Sequence, residues 1–76
     1  MMIAPKSTIK HYLSLPYTRA FSTDEDGDTV ANIKELRGCS AHGKTVLEAN
    51  ANLDEALELW ITDALERGHD IPVPKE

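Results

Sequence analysis

The longest hydrophobic pattern in the chain lies between residues 45 and 68 and is typical of an amphipathic helix. Apolar residues recur there at intervals of three and four, which places them on one helical face. The "TVLE" segment resembles a capping box, in which Thr45 accepts from the amide of Glu48 and Glu48 reaches back to the amide of Thr45. Arg67 suits the last turn, and Gly68 suits a left-handed cap. The predicted apolar stripe comprises Val46, Ala49, Leu53, Ala56, Leu57, Trp60, Ile61 and Ala64.

Three shorter segments before this helix have the composition of strands. "YTRAFS" at 17–22 and "DTVANI" at 28–33 are rich in aromatic, β-branched and threonine residues. The acidic stretch between them contains Asp-Gly, which predicts a hairpin whose loop of about five or six residues is built around a type I turn and a bulge. "GCSAH" at 38–42 predicts a third strand that ends at Gly43.

These elements predict an α+β fold in the order β-β-β-α. It consists of a small antiparallel three-stranded sheet with one long helix packed on one face, so the other face must be polar or pair with another molecule. "STIKHYLSL" at 7–15 predicts one helical turn before Pro16. "IPVP" at 71–74 predicts a short final edge strand, because prolines cannot donate to a ladder. We expect a single domain over residues 1–76, with its core at about 9–74.

The length of the chain favours self-association. A domain of 76 residues buries only about 60 % of its unfolded surface and is marginally stable alone. We therefore expect a homodimer or a higher homo-oligomer. Cys39 is the only cysteine, which excludes an intrachain disulfide and favours a cytoplasmic protein. No apolar run has the length of a membrane span or a signal peptide, so no membrane association is expected.

The charge of the chain is negative and unevenly distributed. The net charge is −5; residues 1–44 carry six basic and five acidic residues, whereas residues 45–76 carry two and eight. A chain without a basic stripe is a poor candidate for nucleic-acid binding, because phosphate neutralisation supplies most of that affinity. A basic protein partner is the better electrostatic match.

The acidic stretch has the spacing of a calcium loop but lacks its structural requirements. Asp24, Asp26 and Asp28 lie two residues apart, and Glu35 follows Asp24 by eleven residues. The sixth loop position, which requires glycine, is Thr29. The flanking segments are also predicted as strands and not as helices. We therefore expect no metal site here, and acids clustered in one turn do not converge as two-metal chemistry requires.

Cys39 and His42 form a C-x-x-H pair, which is half of a zinc signature without a second half. Residues three apart on a strand point to opposite faces, so this pair does not predict a nucleophile and its base. Cys39 is better interpreted as a small buried residue. No glycine-rich phosphate loop is present. We therefore expect no catalytic, cofactor or metal site, and no enzymatic activity.

Five short motifs occur in order along nearly the whole chain. They are "YLSLPY" at 12–17, "DEDG" at 24–27, "ELRGC" at 35–39, "GKTVLEA" at 43–49 and "ALELW" at 56–60. With these motifs the chain resembles the N-terminal domain of HicB-like antitoxins. Two positions depart from the usual pattern: arginine replaces a proline in "ELRGC", and lysine replaces an acid in "GKT".

The resemblance implies a partial ribonuclease-H-like fold without that enzyme's catalytic carboxylates. It also implies a function, since HicB-like antitoxins bind and neutralise a small HicA toxin, a ribonuclease that cleaves mRNA. Many of these antitoxins carry a C-terminal DNA-binding domain. This chain ends at Glu76, soon after "IPVP", so we expect a short stand-alone member that does not bind DNA directly.

The leading hypothesis is therefore a protein-binding module that covers the RNA-binding surface of a basic toxin. The alternative is an orphan HicB-like homo-oligomer that binds a small ligand or metal at the acidic turn or near Cys39 and His42. A divergent nuclease using the acidic turn is a weaker third possibility. Leu59 lies outside the apolar stripe; such a residue usually has no function, but on so small a domain it can mark a contact. The candidate partner-binding surface comprises Asp24, Glu25, Asp26, Asp28, Glu35 and Leu59.

Overall fold

A computed structural model of the chain describes residues 6–74 and confirms the predicted α+β architecture. The strands form one antiparallel sheet in the order β1-β2-β3. The long C-terminal helix packs on one face of this sheet, mainly over its second and third strands. The elements are α1 (Lys6–Leu13), β1 (Arg19–Thr23), β2 (Thr29–Ile33), β3 (Ser40–Gly43) and α2 (Val46–Arg67).

Two predictions at the ends of the chain are corrected. The segment before Pro16 forms the eight-residue helix α1 and not a single turn, because α1 packs against α2. The predicted edge strand at 71–74 is wrong: this segment has no regular secondary structure. Its prolines lack amide donors, and a side chain holds it instead, since the Tyr17 hydroxyl donates to the Pro72 carbonyl at 2.7 Å.

The core lies between α2 and the sheet. β2 contributes Ala31 and Ile33, and the loop that follows it contributes Leu36 and Cys39. The predicted stripe of α2 supplies the opposing surface. Its buried residues are Ala49, Leu53, Leu57, Ile61 and Ala64, and Ala56 and Trp60 are partly buried against them.

Val46 is the one position of the stripe that was wrongly predicted. Its side chain is 56 % exposed, although its helical position matches that of the buried residues. Val46 is the first residue of α2, and the close contact with the sheet begins one turn later, at Ala49. Periodicity predicts the face of a helix, but it does not predict where along the helix the sheet ends.

Both ends of α2 are capped, with one change from the predicted pattern. The Thr45 hydroxyl accepts from the Glu48 amide at 3.1 Å, as predicted. The Glu48 carboxylate accepts from the amide of Lys44 at 2.9 Å, and not from that of Thr45. Glu48 therefore still satisfies a backbone donor, one residue earlier in the chain. At the other end Gly68 adopts the predicted left-handed conformation, with φ of 70°.

Gly43 determines how closely α2 approaches the sheet. A Cβ atom at this position would collide with backbone atoms of Ala49. The absent side chain thus lets the first turns of α2 lie directly against the end of β3. The helix packs mainly on β3 and β2 as a result, and β1 lies beside it with little cover.

We expect Gly43→Ala to destabilise the protein by about 1–3 kcal/mol, because the backbone of α2 must shift to admit a methyl group. Urea denaturation of the two proteins measures the difference. Ser40→Ala is the matched control, since Ser40 lies exposed on the same strand and its loss should have little effect. Equal stability of Gly43→Ala and the wild type would show that the helix does not depend on this contact.

Candidate functional site

The acidic turn, residues 24–28, connects β1 and β2 as a five-residue hairpin loop, where a loop of about five or six residues was predicted. The Asp24 amide donates to the Asp28 carbonyl at 2.9 Å, and the Gly27 amide donates to the Asp24 carbonyl at 3.1 Å. Gly27 has a φ of 85°, a conformation that glycine adopts without strain. The turn is therefore closed by its own backbone hydrogen bonds.

The four carboxylates of the acidic turn have different environments. One Asp24 oxygen accepts from the amides of Asp26 and Asp28, each at 2.9 Å, so this side chain organises the turn itself. Asp28 is partly buried. Glu25 and Asp26 are exposed at the tip and are the carboxylates most accessible to a partner.

The calcium-like spacing of these acids is not accompanied by the local structure of a calcium loop. Thr29, which occupies the position that requires glycine, is the first residue of β2. Within the described residues, no group of three or more His, Cys, Asp or Glu side chains is placed to hold a metal ion. The turn can therefore offer negative charge to a partner, but its carboxylates do not converge on one point.

Glu35 lies at the opposite end of β2 from the acidic turn. Its carboxylate accepts from the backbone amide of Thr18 at 2.9 Å and from the Thr18 hydroxyl at 2.8 Å. These two bonds hold the pKa of Glu35 below its usual range. Glu35 thereby ties the start of β1 to the loop after β2, so its carboxylate already has a structural role.

Leu59 lies on α2, away from both other positions, and is 71 % exposed. It follows the buried Leu57 by two residues, which places it about 200° around the helix. The six predicted surface residues therefore do not form one patch. The structure brings Asp24, Glu25, Asp26 and Asp28 together in the acidic turn and leaves Glu35 and Leu59 elsewhere.

Cys39 and His42 are separated as predicted. Cys39 is 2 % exposed, and His42 is exposed on the strand that follows it. Burial raises the pKa of the Cys39 thiol, although the nearby charge of Arg19 acts in the opposite direction. The thiol therefore stays protonated at neutral pH and is a poor nucleophile.

The outer face of the sheet, opposite α2, carries small or polar side chains. Residues paired across an antiparallel ladder point to the same face, which identifies this set from the strand register. The sequence left open whether this face is polar or pairs with another molecule, and the side chains on it are small or polar apart from Val30. The set comprises Ala20, Ser22, Val30, Asn32, Ser40 and His42.

Two residues of β1 that bear on the candidate surface were not predicted. Phe21 pairs with Ala31 and points to the α2 side, yet it is 41 % exposed because α2 lies mainly over the other two strands. Arg19 bridges β1 to α2, donating to the Asn50 side chain at 2.7 Å and pairing with Asp54 at 2.7 Å. The alternation along β1 indicates which residues share a face, but not which strand the helix covers.

Within the described part of the chain, neither helix combines the length and apolar character needed to cross a membrane. α2 is long enough, with 22 residues, but it alternates buried and charged positions.

We expect Glu35→Gln to lower stability at neutral pH and to have less effect in acid. The folded pKa of Glu35 lies below its unfolded value of about 4.3, so its bonds stabilise the fold fully above that value. This contribution is lost as the pH falls through the folded pKa. Denaturant unfolding of variant and wild type at a series of pH values measures the change.

Glu25→Gln is the matched control for this substitution. Glu25 is exposed in the acidic turn, and its carboxylate makes no hydrogen bond within the described residues. Its replacement should not lower stability at neutral pH. A Glu35→Gln deficit that stays constant from neutral to acid pH would contradict the role of the Thr18 bonds.

Two relatives found by comparison with known proteins are both UPF0150 proteins. The UPF0150 protein Ta0767 of Thermoplasma acidophilum is 38 % identical over 58 residues, covering 76 % of this chain and 84 % of that protein. The UPF0150 protein ssr1765 of Synechocystis sp. is 42 % identical over 60 residues, covering 79 % and 73 %. These two relatives thus align with most of the chain.

The fold also has a solved counterpart. The crystal structure of TTHA0281 from Thermus thermophilus superimposes with a TM-score of 0.64 over 93 % of both chains, at 23 % sequence identity. The UPF0150-like family pattern matches residues 19–72, from the start of β1 to Pro72, whose carbonyl accepts from the Tyr17 hydroxyl. This chain therefore belongs to the UPF0150-like family.

Proposed function

We propose that this chain is a non-enzymatic protein-binding domain that acts as the antitoxin of a HicA/HicB-type pair. Its partner would be a small basic ribonuclease that cleaves mRNA, and the two would act in the cytoplasm. The observation that carries the proposal is the acidic turn, which presents exposed carboxylates at the tip of a hairpin closed by its own backbone hydrogen bonds. The five HicB-like motifs in order support the same conclusion.

The mechanism of neutralisation is steric cover of the toxin's RNA-binding surface. Such a surface is positively charged because it must bind phosphates. The chain has a net charge of −5, and Glu25 and Asp26 extend from one end of the sheet. Complementary charge of this kind raises the rate of association more than it raises affinity, and salt weakens its effect.

Self-association is part of the proposal. A domain of this size has a small core, and pairing between copies would bury further surface. The outer face of the sheet and the weakly covered strand β1 are the surfaces available for it. An orphan homo-oligomer without a toxin remains the alternative function, and the experiment below distinguishes the two.

The test is neutralisation of a HicA-like toxin encoded beside this gene. We expect co-expression to restore growth that the toxin alone arrests, and the purified chain to form a complex with an inactive toxin variant. Unrelieved toxicity together with the absence of a complex would contradict the antitoxin proposal and favour the orphan homo-oligomer. The absence of a basic neighbouring gene product would also favour the orphan.

The steering role of the acidic turn has its own measurement. The double variant Glu25→Gln, Asp26→Asn should slow association with the inactive toxin about two- to tenfold at low salt, and the difference should shrink at high salt. Glu55→Gln, Glu66→Gln is the matched control, since it removes the same charge from exposed positions on α2. Equal slowing by both double variants would show that only net charge matters.

A further inference from the structure

One edge of β1 has no partner strand among the described elements. β1 lies at the edge of the sheet and pairs only with β2. The Thr18 carbonyl accepts from the backbone amide of Lys34, which follows β2, and the Asp24 amide donates to the Asp28 carbonyl. The amide and carbonyl of successive residues in an antiparallel strand point to opposite edges. Ala20 and Ser22 therefore direct theirs towards β2, as Thr18 and Asp24 do. Arg19, Phe21 and Thr23 direct their amide and carbonyl groups to the free edge.

The free edge of β3 is different because α2 occupies part of it. The Cys39 carbonyl accepts from the Ile33 amide, so by the same alternation His42 directs its backbone groups outward. The His42 carbonyl then accepts from the Asn52 side chain of α2 at 2.7 Å. β3 has four residues, whereas β1 has five. β1 is therefore the more accessible edge for another strand.

β1 also lacks the features that usually protect an edge strand. It contains no proline. It pairs with β2 residue for residue over its whole length, without a bulge. Its one charged side chain, Arg19, forms an ion pair with Asp54 of α2 and so does not lie along the edge. Edge strands without such protection pair readily with another strand.

We propose that β1 pairs with β1 of a second copy of this chain, antiparallel and about a two-fold axis at Phe21. The proposal rests on the self-association proposed above and is independent of toxin binding. In this register Phe21 lies opposite its own counterpart, and Arg19 lies opposite Thr23 of the second copy. Each residue whose backbone groups point to the free edge thereby lies opposite another such residue. The two three-stranded sheets join into one continuous sheet.

The side chains on the α2 side fit this arrangement. Phe21 is half-exposed in one copy, and the axis would bring two such rings together as a cross-strand aromatic pair. Val46 lies one helical turn before Asn50, the residue that Arg19 contacts, and is also exposed. It adds apolar surface on the same flank of α2. On the outer face, Ala20 and Ser22 are too small to obstruct the joined sheet.

The charges favour the antiparallel arrangement over a parallel one. Antiparallel pairing places the two acidic turns at opposite ends of the joint, on the order of 30 Å apart, which exceeds the Debye length at physiological salt. Each turn then lies near the Thr18 end of the other copy's β1, where the exposed Lys34 and the Glu35 carboxylate that Thr18 binds offset each other's charge. Parallel pairing would instead put the two turns side by side, where their carboxylates repel each other.

The joint is small, which predicts reversible association. A five-residue edge with one aromatic pair contributes less than the roughly 800 Å² per partner of a standard interface. We therefore expect a dimer that dissociates on dilution. Sedimentation equilibrium of the full chain should give about twice the monomer mass of 8.4 kDa at high concentration and approach the monomer mass at low concentration.

Two variants test the joint in different ways. Phe21→Lys replaces the aromatic pair by two like charges at the axis and should weaken association about tenfold or more. Thr23→Pro removes an amide that faces the free edge and is not used within one copy, so the fold should be kept while association weakens. Leu59→Lys is the matched control, because it makes the same chemical change at an exposed site on α2.

Hydrogen exchange of the wild-type chain supplies a measurement that needs no variant. The amides of Phe21 and Thr23 should become more protected as the protein concentration rises. A wild-type chain that stays monomeric up to about 1 mM overturns the proposal. A dimer that keeps these amides unprotected, survives both β1 variants, or is dissociated by Leu59→Lys overturns it as well.

These outcomes are separate from those of the antitoxin proposal. A chain that neutralises the toxin but is monomeric, or dimeric through another surface, refutes only the β1 joint. A chain that dimerises through β1 but leaves the toxin active refutes only the antitoxin role.

Discussion

Gly43 lets the backbone of α2 approach β3 without an intervening side chain, and this contact sets the position of the helix on the sheet. With its N-terminal turns held against β3, α2 lies mainly over β3 and β2. The core forms where helix and sheet overlap, between Ala31 and Ile33 on one side and Leu53 and Leu57 on the other. β1 receives little cover, and its link to the helix is the polar bridge made by Arg19. The exposure of Phe21 and the accessible edge of β1 both follow from this offset.

The sequence carried most of the information about local structure. The extent of α2, its caps and the five-residue hairpin loop depend on contacts within a few residues, so periodicity and turn chemistry predicted them. Three features depend on tertiary contacts and were not predicted: the irregular conformation of "IPVP", the length of α1 and the exposure of Val46. Pro72 is held by a tyrosine 55 residues away, which no local pattern indicates.

The candidate site was predictable to a similar degree. The acidic turn was identified from composition, and Thr29 indicated that the chain continues as a strand and not as a calcium loop. The different roles of its carboxylates were not predicted. The Asp24 side chain accepts from backbone amides that come close to it only when the turn has formed. Glu35 has acidic chemistry like the turn, but its contact with Thr18 belongs to the pairing of β1 and β2. Arg19 and Phe21 gave no signal, because their environment depends on the offset of the helix.

The hydrogen bond from Tyr17 to Pro72 has a consequence for how this domain is presented to other molecules. It brings the segment that follows α2 back to Tyr17, just before β1, so this segment lies at the end of the sheet where β1 begins. The acidic turn lies at the other end of β1 and β2. An affinity tag joined beyond the segment 71–74 therefore begins on the side remote from the turn, which leaves the hairpin tip open to approach.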